Sequence, residues 1–500
     1  MSRRLKNFFE DTRNNTIRSL KNENLKIPED NKPSSKEKKE NNIRVVVGLD
    51  FGTTFSGFAY CHVNENKNIC SNESWHGEVG DLPDKFKRKL PIDYKKAITD
   101  YLKEIGKVIK ETVATRWPKI DYFGNVLLVI TVPAEFSEKS KAIMRTCAFD
   151  AELINEKCST NLQFITEPEA AAVYCMDNLK GQNLTQPGNL TTRKLLNDEQ
   201  LGEITERAGD FCGSTFIDAG FIDYLRRKLG DEPIDLLRDN NYGQMQYLIQ
   251  QFCKFEDDEW VIEIDFESMK SIFEPVIQTI LCLIKAQLDN IKETCSAMFL
   301  VGGFSESKYL QKRIHEEFSH RVETISVPTQ PMAAIARGAA IYGLSIKSDD
   351  LNNLDDNMKC VISSRVLKYT YGIKYAPEWK NGDPTNRKIL NGRILKFDCL
   401  AKRGTKVNIN QEVTRTYKPT DHNQTRGIIS IYYTQEYEGE YCDDPGMNHL
   451  GNLLVDLPGA GLDRSITFGM VFGKMEIIAT SRDEQTGKSY KATFKFNLDD

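Results

Sequence analysis

The stretch VVVGLDFGTTFSGFAYCHV, Val45 to Val63, decides how the rest of the chain is read. An apolar strand ends at Asp50, a tight Gly-Thr-Thr turn follows, and a second strand returns through Gly57 to His62. Such a turn suits a phosphate. Its backbone N–H groups and the hydroxyls of Thr53 and Thr54 are donors, Gly52 lets the backbone approach closely, and Asp50 can hold a magnesium ion through water. It is not a P-loop, which needs G-x-x-x-x-G-K-[ST] running into a helix. A short turn with Asp and Gly is on its own a common hairpin, so the remaining chain has to carry the distinction.

On either side of this stretch the texture changes twice. Residues 1–42 are rich in Lys, Glu, Asn and Ser and have too little apolar surface to offset the entropy of ordering, which predicts a disordered charged arm. From 43 to 346, β-branched apolar runs alternate with helical patterns, the mark of an α/β architecture. Strands are expected at Val45–Leu49, Gly57–His62, Val126–Val132, Leu162–Ile165 and Met298–Val301. Helices are expected at Tyr94–Arg116, Glu138–Phe149, Glu169–Asp177, Phe216–Lys228, Phe266–Lys292, Lys308–Phe318 and Pro331–Gly343. Residues 347–358 are polar and acidic and read as a linker. From 359 to 500, short alternating runs broken by Asn, Gly, Asp and Pro predict an all-β domain, a sandwich by the spacing of its strands.

The string D-F-G-T-T-x-S-G resembles the first phosphate loop of the actin, hexokinase and DnaK-type superfamily. The likeness continues in order: VLLVITVPAEFSEKSKAIMRTCAFDAEL (126–153), LQFITEPEAAAVYCMDN (162–178), MFLVGGFSESKYLQKRI (298–314) and AAIARGAAIYG (333–343) are similar to successive segments of the DnaK-type heat-shock chaperones. Further on, IYYTQEYEGEY, LGNLLVDLPGAG and IIATSRDEQTGKSYKATFKF resemble their peptide-binding β-sandwich. The resemblance implies a two-lobed, ribonuclease-H-like actin-like ATPase fold followed by that sandwich, with ATP or ADP and Mg2+ as ligands. Asp50, Gly52, Thr53 and Thr54 would meet phosphate and metal, and Glu167 would sit near the attacking water. Gly302 and Gly303 would form the adenosine-binding turn, with Ser305 or Glu306 capping the helix that follows. Ala170–Ala172 and the residues around Gly338 would be crossing helices whose small side chains permit close approach. Unfolded or extended peptide clients and co-chaperones would be the partners. Because the chain ends at Asp500, where other members continue into a helical lid, the likeness is to a divergent, lidless branch.

One part of the family pattern is missing. A second phosphate loop, D-x-G-G-G-T-x-D, should follow the Glu-Pro helix, yet the only Gly-Gly pair in the sequence is Gly302-Gly303, while LTTRKLL (190–196) resembles the strand that should come after the lost loop. Opposed donors on the phosphates supply much of the catalytic stabilisation in such enzymes. A catalytically inactive pseudo-ATPase scaffold is therefore the alternative to an ATP-driven chaperone. A sugar kinase would need a substrate domain and a catalytic Asp where this chain has its β-rich half.

Composition narrows the remaining classes. The net charge is −5 with 28% charged residues, so no nucleic-acid surface is implied. Charges in MSRRLKNFFEDTRNNT occupy the place of a signal peptide's apolar core, and no apolar run reaches 18 residues, so a cytoplasmic protein without membrane contact is expected. Twelve cysteines are scattered with no C-x-x-C, the pattern of reduced thiols rather than of a disulfide framework or a zinc site.

Overall fold

A run as apolar as Val45–Leu49 belongs inside a sheet covered on both faces, and the computed structural model places it there, with Val45, Val46, Val47 and Leu49 fully buried. The structure describes residues 43–52, 56–65, 68–72, 93–134, 136–176, 189–196, 200–205, 208–209, 214–252, 264–291, 293–350, 361–389, 392–419, 421–487 and 489–493. The expected arm 1–42 lies outside them.

The first sheet contains β1 (Val45–Phe51), β2 (Ser56–His62), β3 (Cys70–Ser71), β4 (Val126–Val132) and β5 (Leu162–Thr166) in the order β3-β2-β1-β4-β5. β2 returns antiparallel to β1, whereas β4 and β5 run parallel to it. Side-chain alternation divides the sheet between two cores. Val45, Val47, Leu49, Leu128 and Ile130 pack with α1 (Tyr94–Arg116) and α3 (Glu138–Asp150), and the one-turn α2 (Tyr122–Asn125) leads into β4. On the other face Val46, Leu127 and Val129 meet α4 (Glu167–Met176) and α10 (Ala334–Asp350). Asp93 and Ser137 cap α1 and α3, each side chain accepting from a backbone N–H in the first turn.

A second core is mainly helical. α5 (Ser214–Leu229), α6 (Asp231–Asn240), α7 (Tyr242–Phe252), α8 (Phe266–Asn290) and α9 (Lys308–Phe318) gather around the parallel pair β10 (Ala297–Phe299) and β11 (Thr324–Ser326). By length and composition α8 could cross a membrane, but Ile277, Ile280 and Ile284 are buried in this core, as in the central helix of a globular domain. Two short strands, β6 (Asn189–Leu190) and β9 (Ala208–Gly209), pair with each other nearby in sequence.

The β-rich half forms two four-stranded antiparallel sheets. One is ordered β14 (Lys396–Ala401), β13 (Thr370–Tyr375), β17 (Arg426–Thr434), β18 (Asn448–Asp456), and the other β16 (Glu412–Tyr417), β19 (Ile466–Val471), β20 (Ile478–Asp483), β21 (Ser489–Thr493). Ile373, Ile431 and Leu453 from the first share a core with Phe468, Met470 and Ala479 from the second. Two strands of this half pair elsewhere. β12 (Ile362–Val366) lies parallel to β8 (Gln200–Glu203) and antiparallel to β15 (Lys406–Asn408), making the sheet β15-β12-β8-β7 with β7 (Arg193–Leu196). The expected separation at 359 therefore does not match the strand pairing, and α10 runs on to Asp350, into the stretch read as linker.

Side chains of α3 tie the first sheet's helices to the β-rich half. Arg145 donates to both carboxylate oxygens of Glu476 at 2.8 and 2.6 Å and also to the Ser159 and Leu162 carbonyls. Lys141, buried, donates to Glu138 and to the Met475 carbonyl.

The expected close crossing of small-residue helices is present. A Cβ on Gly338 of α10 would lie 1.7 Å from the Ala170 carbonyl oxygen of α4, and one on Gly48 would lie 2.3 Å from the Ala336 oxygen. Alanine normally favours a helix by about 1 kcal/mol over glycine. Here the obstacle is backbone, so overpacking at about 1–3 kcal/mol or more outweighs that gain. Gly338→Ala is expected to lower the urea-unfolding midpoint; an equal or higher midpoint would show that α4 and α10 are farther apart than described.

Candidate functional site

The ends of three neighbouring parallel strands bring the candidate residues together. β1 carries Asp50 beyond its last pairing with β4, Leu49 opposite Ile130, so Asp50 lies beside Thr131. The Thr131 hydroxyl donates to Asp50 Oδ1 at 2.9 Å. Val132 pairs with Thr166, after which the chain turns into α4 at Glu167. Part of the Asp50 residue reaches solvent, but its carboxyl is enclosed. Burial and then the nearby Glu167 carboxylate push Asp50 up to about 7, while the Thr131 hydrogen bond pulls the other way.

Gly52 follows β1, and its carbonyl receives the Ser56 hydroxyl at 3.5 Å. Thr53 and Thr54 lie outside the described residues, so their expected phosphate contacts have no structural counterpart here. Gly302 and Gly303 follow β10, and Gly302 takes a φ of +87°. A Cβ on Gly302 would meet nothing within 4 Å, and one on Gly303 would meet only the Met332 methyl at 3.9 Å. The turn therefore has open space beside its backbone. The cap of the following helix falls on Ser307, which accepts from Leu310 N, rather than on Ser305 or Glu306. Ser305 instead donates to the Gly302 carbonyl at 2.6 Å. No described hydrogen bond joins this turn to Asp50.

A second constellation lies two residues beyond Glu167. Thr166-Glu167-Pro168-Glu169 is a capping box: Thr166 N donates to Glu169 Oε2 at 3.2 Å and Glu169 N to Thr166 Oγ1 at 3.4 Å. Glu169 Oε1 also accepts from Arg193 Nη2 and Arg365 Nε, both at 2.8 Å, and Arg193 reaches Glu203 at 3.0 Å. All four side chains are buried. Glu203 Oε2 accepts from Val366 N at 2.7 Å, and the Arg365 guanidinium also donates to the Gly473 carbonyl. Burial works against the Arg365 charge, but Glu169 and Tyr342 more than offset it and raise its proton affinity. Sequence reasoning missed this network. Its readable signal was the T-x-x-E spacing at 166–169; the Thr131 partner of Asp50 was missed as well, although Thr131 is the one polar residue in VLLVITV.

For a nucleotide with a divalent cation, the described residues offer an enclosed aspartate at a strand end, a carboxylate neighbour and an open glycine turn. Two like charges in one enclosure would be eased by a cation, so this part of the site fits the implied ligands. The second phosphate loop has no counterpart among the described residues. The class so defined is an α/β lobe with a carboxylate pair at its strand ends, joined to a two-sheet β module.

Comparison with curated proteins places the chain more closely. Mouse heat shock 70 kDa protein 12A is 27% identical over 287 residues, which cover 55% of this chain and 39% of that protein. The human 12A protein is 26% identical over 287 residues and human 12B 26% over 292, with the same coverage. The chain is a divergent relative of these heat shock 70 kDa proteins, and its match spans about two-fifths of their length. No protein-family model matches it. Among solved structures, the ethanolamine utilization protein EutJ from Carboxydothermus hydrogenoformans aligns at 14% identity with a TM-score of 0.37, covering 59% of this chain and 89% of that one.

The buried network yields a test of its own. Removing one member leaves a charge buried without its partner, at a cost of about 3–5 kcal/mol. Arg193→Met or Arg365→Met is expected to destabilise the chain by that order in urea unfolding. Adding Glu169→Leu to the Arg365→Met change should recover part of the loss, because it removes the stranded carboxylate. Failure of the second change to recover any stability would show that the loss comes from packing rather than charge.

Proposed function

We propose that the chain is an ATP-binding, heat-shock-type chaperone-like protein with an actin-like nucleotide lobe and a DnaK-type peptide-binding β-sandwich. The observation that carries this reading is the placement of Asp50 and Glu167 at the ends of β1 and β5, the two parallel strands that flank β4, with Asp50 running straight into the Gly52-Thr53-Thr54 turn. In this reading Asp50 holds the water shell of Mg2+, and the Gly52, Thr53 and Thr54 turn donates to phosphate. Glu167 orients water, and Gly302 and Gly303 face the nucleoside. Bound Mg2+–ATP supplies the phosphates and the positive charge that offsets the carboxylate pair. Extended peptides and co-chaperones are the proposed partners, in the cytoplasm, with neither nucleic acid nor membrane involved.

A second reading, a pseudo-ATPase scaffold, has its own support. Clamping a phosphate from two sides needs donors on both, and no D-x-G-G-G-T-x-D loop is present in the sequence after α4, where Arg193 and Glu203 are engaged with Glu169 in a buried ion network. Both readings retain nucleotide binding through Asp50 as the first question.

Calorimetry of Mg2+-dependent ATP binding to the purified chain decides it. The wild type is expected to bind, and Asp50→Ala to weaken binding by about tenfold or more, as for loss of a charged partner. No binding by a folded wild-type chain would overturn the nucleotide reading and leave the scaffold. If peptide and nucleotide sites are coupled, peptide must change ATP affinity by the same factor as ATP changes peptide affinity. An ATP affinity indifferent to peptide would remove the coupling while leaving nucleotide binding in place.

A further inference from the structure

The strand β4 is buried at all seven positions, and six of them are apolar. A threonine in such a strand has to place its hydroxyl somewhere, because an unpaired buried hydroxyl is costly. Thr131, with no exposed surface, spends it on Asp50, 81 residues away in sequence. The parallel pairing of β1 with β4 makes this contact a consequence of sheet register. Among the described residues, Thr131 is the only hydrogen-bond donor to the Asp50 carboxylate.

We propose that Thr131 is a positioning residue for the metal site: by donating to Asp50 Oδ1 it fixes the carboxylate's rotation and leaves Oδ2 as the oxygen for the water shell of a divalent cation. The inference rests on the nucleotide reading above and adds a residue to it. A carboxylate at a strand end turns about its χ angles, and a ligand bound through one oxygen loses affinity when that rotation is free. A second hydrogen bond on the other oxygen removes the freedom before the cation arrives, as outer partners of metal-binding groups do elsewhere. Valine has the shape of threonine without its hydroxyl, so Thr131→Val removes the donor and keeps the packing.

The experiment is calorimetric ATP binding across a Mg2+ titration, for wild type, Thr131→Val, Thr131→Ser, Asp50→Ala and the Asp50→Ala/Thr131→Val double variant. Thr131→Val is expected to raise the Mg2+ concentration for half-maximal binding about tenfold, and Thr131→Ser, which keeps the hydroxyl, to restore it. On the Asp50→Ala background the valine should have no further effect, since a residue acting through Asp50 has nothing left to act on. A loss of equal size on that background would assign Thr131 a purely structural role and overturn the proposal. So would a Thr131→Val chain with wild-type Mg2+ dependence while Asp50→Ala loses binding. If Asp50→Ala itself binds like wild type, the nucleotide reading fails first and Thr131 falls with it. Should the valine variant not fold, Thr131→Ala, which also removes the hydroxyl, carries the same comparison.

Discussion

Glu169 is the carboxylate on which three separate parts of the chain converge. It closes the first turn of α4, receives Arg193 from the start of β7, and receives Arg365 from β12 in the β-rich half. Two arginines and two glutamates in one buried cluster carry no net charge. Every oxygen of Glu169 and Glu203 has a donor within 3.3 Å. Satisfied in this way, the cluster avoids most of the penalty of burying charge, but its contribution relative to apolar packing of equal volume is small. What it supplies is specificity. A single arrangement of α4, β7, β8 and β12 satisfies all four charges, and any slip of β12 against β8 would strand at least one.

That constraint bears on the absent glycine loop. A sheet strand left without a neighbour exposes a row of backbone donors and acceptors. In this chain β8 has β7 on one side and β12 on the other, so its hydrogen bonding is completed by a strand from beyond residue 360. The buried side chains that join these strands to α4 are arginine and glutamate, which bind each other. They are not backbone N–H groups aimed at a ligand. The chemistry left to the lobe is then concentrated at Asp50, where burial and Glu167 disfavour the negative charge. Such an enclosure costs stability, and a purely structural hairpin would gain by replacing Asp50 with an apolar residue.

Local pattern read well where packing follows it. The helices Tyr94–Arg116 and Lys308–Phe318 and the strand Val126–Val132 match their sequence expectations end to end, because the helices have a strong apolar period and a capping side chain and the strand is a nearly unbroken apolar run. Strands β6, β8 and β9 and helices α6 and α7 were not anticipated: the strands are two to four residues long, too short for a period to register, and the helices, although amphipathic, are only 10 and 11 residues long. The misjudged cap at Ser305 or Glu306 has a similar cause. A 3-10 turn, Gly303–Glu306, intervenes and moves the helix start by one side chain. Arg365 was out of reach for a different reason: its partners Glu169 and Gly473 are 196 and 108 residues away, and one sequence holds no sign of which strand β12 will join. The Asp50 turn could be read because all of its chemistry lies within one hairpin, whereas Thr131 required the β1–β4 register.

The helix α10 links these local facts into one mechanical unit. Gly48, two residues before Asp50, lies against the Ala336 backbone, and Gly338, half a turn further along α10, lies against the backbone of Ala170, three residues after Glu167. At both crossings the gap is too small for a methyl group, so the contacts are backbone on backbone and tolerate little sliding. The strand that bears Asp50 and the helix that bears Glu167 are thus held by the same rigid rod. A change in the distance between the two carboxylates has to bend α10, or break one of its two glycine contacts, before it can occur. Ordinary side-chain packing at these positions would have allowed small independent shifts. Glycine excludes them, and the carboxylate pair keeps its spacing for as long as α10 remains seated on both.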